Sequence, residues 1–160
     1  STDLKALVES LYYGREETLK ESGDTKKTAI IKYPDSATDP FKFLADHRGA
    51  FFNGDLYIFK GTGNPNINEK DTGKRKSQAR QAAILMSQYY IIKIIYDRKK
   101  ELYGGPENEY DNRLQQFNKE LSDTVKTGTV LSEKFDTEQN CTILFQVKRK
   151  GFHKWAEQPL

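Results

Sequence analysis

A single cysteine, Cys141, in 160 residues rules out an intramolecular disulfide framework and any zinc site built from several thiolates. Histidine is almost as scarce. His47 and His153 are the only two, and neither stands in a recognisable nucleophile context, so the usual signature of a hydrolase is missing. Both read as surface or packing histidines. Long hydrophobic runs are absent too. The longest, Tyr89 to Ile95, is broken by Lys93 and is far shorter than the roughly 20 apolar residues that cross a bilayer. Charge of one sign is not in excess, since 26 Lys plus Arg against 23 Asp plus Glu leave +3, well short of a dedicated nucleic-acid binder. No repeat of solenoid length and no low-complexity tract is visible.

What is present is a folding chain. Hydrophobic residues make up only 36% and charged ones 31%, yet nine Tyr, nine Phe and one Trp are too many for a disordered polar polymer. A chain of this length suits one domain that buries roughly 70% of the surface its unfolded form exposes.

Helical spacing of Leu4, Leu7, Val8, Leu11 and Tyr12 predicts a first helix from Asp3 that fades by Gly23. Thr28 to Tyr33 predicts a short strand ended by Pro34, and Asp39-Pro40 opens a short helix through Asp46. Asn53-Gly54 is a turn dipeptide, and Leu56 to Phe59 is aromatic and β-branched enough for a strand that Gly61-Thr62-Gly63 ends. The breaker-rich stretch from Gly63 to Gly73 predicts a surface loop. Lys74 to Leu102 has no Gly or Pro and predicts a long helix buried on most sides in its middle, stopped by Gly104-Gly105-Pro106. Tyr110, Leu114, Phe117, Leu121 and Val125 predict a second helix packed antiparallel to it. Thr129 to Phe135 and Thr142 to Arg149 predict a hairpin. In its second strand Ile143, Phe145 and Val147 should face the long helix, while Thr142, Gln146 and Lys148 face water.

The expected fold is therefore α+β: an antiparallel sheet of three to four strands with two long helices on one face. Residues 1–160 form one domain, in which a helical extension over 1–50 packs on a strand-helix-helix-hairpin core over 55–150.

Several patterns carry chemistry in other proteins. Adjacent Glu16-Glu17 diverge by about 100° on a helix and do not converge on one substrate. Gly61-Thr62-Gly63 follows a strand and precedes a helix, but without a third glycine or a Gly-Lys-Thr/Ser it reads as a backbone turning out of the sheet. Asp35, Asp39 and Asp46 do not match a calcium loop. No catalytic residue, cofactor or metal is expected. Asn140-Cys141-Thr142 fits the N-glycosylation pattern. Three basic clusters remain, Lys74-Arg75-Lys76, Arg98-Lys99-Lys100 and Lys148-Arg149-Lys150. They form the candidate surface patch for an anionic polymer, with Tyr57 or Phe59 as stacking rings. Solvated ends of helices and strands are the plainer reading of all three.

The order of strand Leu56 to Phe59, Gly61-Thr62-Gly63, loop, and a helix opening on Arg75-Lys76-Ser77-Gln78-Ala79-Arg80-Gln81-Ala82-Ala83 resembles the LPP-twenty family of bacterial outer-membrane lipoproteins. Flagellar-associated P- and T-type envelope proteins share that domain, and the likeness covers about residues 55 to 150. It implies a non-enzymatic module facing the periplasm or the cell surface that self-associates or binds envelope proteins. A lipidated cysteine upstream of Ser1 would be its membrane anchor. Nucleic acid is the alternative partner, through the basic clusters. The resemblance assigns no functional residue.

Overall fold

The computed structural model describes Leu44 and residues 48–103 and 112–160. The expectations for the first helix, the strand at Thr28 to Tyr33, most of the short helix after Asp39, His47 and the Gly104-Gly105-Pro106 stop lie outside those residues.

The element order is β1 (Gly49–Phe52), β2 (Leu56–Gly63), α1 (Thr72–Tyr103), α2 (Asn112–Lys126), β3 (Thr129–Phe135), β4 (Cys141–Lys148) and α3 (Phe152–Glu157). All pairings are antiparallel, in the order β1-β2-β4-β3. Two local hairpins thus meet along a central β2–β4 ladder that runs from Leu56↔Lys148 to Gly63↔Cys141. The α+β architecture stands as expected. β1 and α3 are additions to it, and β2 continues through the glycines instead of ending at them.

Asn53 and Gly54 both take positive φ, 58° and 76°, which lets the chain reverse between β1 and β2. Asp71 opens α1. Its Oδ2 accepts the Lys74 N–H at 2.9 Å and its carbonyl accepts that of Arg75 at 2.9 Å, so donors the first turn would leave unpaired are satisfied.

The main core lies between the sheet and α1 with α2. Phe51, Tyr57, Phe59, Cys141, Ile143, Phe145 and Val147 meet Ala83, Met86, Tyr90, Ile94 and Ile95 of α1 and Phe117, Leu121 and Val125 of α2. Phe117 next to Lys99 and Arg113 next to Tyr103 show the two helices running antiparallel. Where α1 crosses β2, Gly61 and Gly63 leave the room. A Cβ on Gly63 would overlap the backbone of Ala79 and Ala83, and one on Gly61 would overlap the Ser87 hydroxyl. The two glycines therefore seat a helix directly on a strand, a different task from the outward turn expected of them. Ser87, fully buried, donates its hydroxyl to the Ala83 carbonyl at 2.7 Å and leaves no polar group unpaired there.

The expected wet face of the sheet needs correction. Ile143, Phe145 and Val147 are buried towards α1 as read and Lys148 is exposed, but Thr142 and Gln146, expected in water, are half-buried. Leu144, however, joins Leu44, Ala50, Phe52 and Ile58 in a second buried cluster on the opposite face. The alternation in β4 is broken by that leucine because β1, β2 and β4 are covered on both sides. Along β3 the sheet opens to water, and there Leu131 is exposed.

Candidate functional site

At the end of the sheet where β2 leaves Gly63, a groove lies between three segments: the loop over 64–71, the first turns of α1, and the β3–β4 turn over 136–140. Arg75 builds it. Its Nε donates to Gln139 Oε1 at 2.8 Å, one terminal nitrogen to the carbonyls of Glu69 (2.9 Å) and Asn66 (3.3 Å), and the other to the Glu138 carbonyl at 3.0 Å. One planar guanidinium thereby clamps both walls to the floor, a geometry that a lysine could not reproduce.

Each wall is also fixed from within. In the loop, Gln78 Oε1 accepts the Asn66 N–H at 3.0 Å, and Asn66 Oδ1 accepts that of Asn68 at 2.9 Å. In the turn, Asp136 accepts the N–H groups of Glu138 and Asn140 and the Asn140 side-chain amide, each at 2.9 Å. Those bonds, the Asn140 side chain first, hold the Asp136 carboxyl below its ordinary range. Gln139 is carried at φ 65°, in the left-handed region uncommon for residues with a Cβ, and there its side chain meets Arg75.

Above these walls stand groups with no internal task. Ile67 is 91% exposed, and Leu85 is 46% exposed on the α1 floor with Tyr89 one turn further on. Among the described residues, the side chains of Asn64, Thr72, Ser77 and Gln81 make no hydrogen bond. The sequence predicts a surface loop from Gly63 to Gly73 but not a groove, because the clamp joins residues 64 positions apart. The one early signal was an arginine, not a lysine, at position 75.

The nine basic candidates do not form one surface. Lys74 to Lys76 sit at the start of α1 and Arg98 to Lys100 near its end, roughly 36 Å apart at 1.5 Å per helical residue. The third cluster joins the second. Arg149 stacks on the Trp155 ring, 3.7 Å to its centroid, and Lys99 donates to the Trp155 carbonyl at 2.6 Å.

At that shared end Arg98, Lys99 and Arg149 are engaged. Lys99 is only 2% exposed, which removes it from the surface patch. Its ammonium also donates to the Gln158 carbonyl and lies 4.5 Å over the Phe117 ring, so it terminates α3 from below. Burial pushes its amine below the usual lysine range, with Glu157 opposing. Arg98 pairs with Glu157 (3.1 Å) and Glu101 (3.7 Å), and Arg149 donates to Thr124 at 3.1 Å and faces Glu120 at 3.8 Å. Arg75, Arg98, Lys99 and Arg149 thus hold the fold. Lys74, Lys76, Lys100, Lys148 and Lys150 remain exposed.

Replacing Lys99 by Met should cost about 2 kcal/mol, because two carbonyls lose a buried charged donor. Trp155, the sole tryptophan, gives the readout: α3 should loosen and its emission should shift to the red before global unfolding in urea.

The other expected candidates are structural. His153 stacks on Phe51 at 4.6 Å, and its backbone N–H donates to the Gly54 carbonyl at 2.9 Å. Tyr57 and Phe59 are core residues, not stacking platforms. Cys141 is fully buried, with burial and then Glu133 raising its thiol against the pull of Arg80. The amide of Asn140, the would-be glycan acceptor, is bound to Asp136.

Among the described residues no cluster of His, Cys, Asp and Glu has the arrangement of a metal site, and no helix is long and apolar enough to cross a membrane. Compared with known proteins, the chain matches no family model, no curated protein and no solved structure.

Proposed function

We propose that this chain is a non-enzymatic interaction module of a bacterial cell envelope, carried on a lipid anchor attached upstream of Ser1 and turning the groove towards its partner. The observation that carries the module reading is the use made of charge in the groove. Arg75 is committed to loop and turn acceptors, and the Glu69 carboxylate accepts from the Lys70 N–H at 3.1 Å and the Gln78 amide at 3.4 Å. What projects outward beside the exposed Lys70 and Glu138 is amide, hydroxyl and aliphatic, the equipment of recognition. The resemblance of the Leu56 to Ala83 segment to envelope lipoproteins is what favours the envelope as its compartment. Envelope proteins or further copies of the chain are the expected partners.

Lipid attachment is what such a polar domain needs at a membrane, since each buried CH₂ of an acyl chain contributes about 0.8 kcal/mol. Fractionation of cells expressing the full-length precursor tests the reading. The wild type should be recovered with membranes, and replacement of the cysteine upstream of Ser1 by Ala should release it. A precursor without that cysteine, or a wild type that stays soluble at low salt, overturns the envelope assignment. Binding of an oligonucleotide that weakens steeply with salt would then favour the exposed lysines as the working surface.

A further inference from the structure

The groove is rigid, has no net charge and is equipped with unused hydrogen-bonding groups, and from these properties we infer that it binds a neutral, N-acetylated saccharide chain. The inference deepens the interaction-module reading and rests on it.

Charge narrows the ligand class first. The ionisable side chains lining the groove are Glu69, Lys70, Arg75 and Glu138, two of each sign, and the Glu69 and Arg75 charges are satisfied by bonds within the walls. The two charges outside the clamp, Lys70 and Glu138, are exposed and of opposite sign, so an anionic or a cationic ligand meets no net field there and gains one attraction against one repulsion.

Hydrogen-bonding chemistry narrows it further. Asn64 and Gln81 each offer an amide donor and acceptor, and Thr72 and Ser77 each offer a hydroxyl, with none of the four consumed among the described residues. Between them stand the aliphatic faces of Ile67 and Leu85. A pyranose ring presents hydroxyls around its edge and C–H groups on its face, and an N-acetyl group adds an amide and a methyl. That alternation matches the lining. A peptide matches it less well, because the floor is α1, whose backbone bonds are internal, so an extended chain could not add itself there as a strand.

Rigidity makes such a site effective. A ligand held by a few neutral hydrogen bonds gains little from each, roughly 1 kcal/mol, and binds only if the site is ordered beforehand. The Arg75 clamp and the Asp136 turn provide that order.

The test is titration of the full chain with an N-acetylglucosamine tetramer, followed by amide chemical shifts, with a neutral peptide of similar mass as the comparison. Saturable shifts should map to residues 64–85 and 137–140, should not weaken with added salt, and should be absent with the peptide. Asn64→Ala and Gln81→Ala, both at exposed or rim positions, should each lower affinity about fivefold to tenfold with the Trp155 emission unchanged. No saturable shift with the saccharide, equal shifts with the peptide, or full affinity in both variants would overturn the inference. Failure here with the native protein still recovered in membranes leaves the envelope module standing. Saccharide binding by a protein that fractionates as soluble would have the opposite meaning.

Discussion

Phe145→Ala should unfold at markedly lower urea than the wild type, with a loss of about 3–5 kcal/mol, whereas Gln146→Ala should stay within about 0.5 kcal/mol. The neighbours sit on opposite faces of β4. Phe145 is 1% exposed, faces Phe59 across the ladder, and lies so close to Gly128 that a Cβ there would overlap its ring. Its removal leaves a cavity that neither strand nor helix can collapse into. Gln146 is half-buried and holds only a 3.2 Å bond to the Thr129 hydroxyl. Equal losses for the two variants would show that the register of β4 is shifted by one residue.

Gly63→Val should be nearly as damaging, costing about 3 kcal/mol, while Gly73→Ala should change stability by less than about 1 kcal/mol. At Gly63 the intruding carbon meets the backbone of α1 at Ala79 and Ala83, which cannot rotate away as a side chain can. At Gly73 the nearest atom is a side-chain oxygen of Asp71 at 3.3 Å. Thermal melts of the two variants read the difference. A Gly63→Val protein with wild-type stability would mean that α1 is not in contact with β2.

The long helix and the final hairpin were legible because their patterns are extended. Thirty-two residues without an interior Pro, and Ile143, Phe145 and Val147 at alternate positions, leave few other structures open. β1 was not legible, since the four residues Gly49 to Phe52 are buried on both faces and show no alternation. α3 escaped for a similar reason: six residues are too few for a helical period. Gly61 and Gly63 illustrate a deeper ambiguity. Absence of a side chain has the same appearance in a turn and beneath a helix, and only the position of α1 distinguishes them. The basic clusters were visible in full, but what they do was not, because the acceptors for Lys99 come from Trp155 and Gln158 and those for Arg75 from Asn66, Glu69, Glu138 and Gln139.

The β2–β4 ladder joins two hairpins across a chain separation of roughly 80 residues, and closing a loop of that length carries an entropic cost that local pairings avoid. The β1–β2 and β3–β4 turns and both long helices can form from contacts close in sequence, but the core exists only once the two halves meet. Folding is therefore expected to wait on that meeting, with the aromatic faces of β2 and β4 exposed to other chains in the interval. The hazard of misassembly lies in that interval, before the ladder has closed.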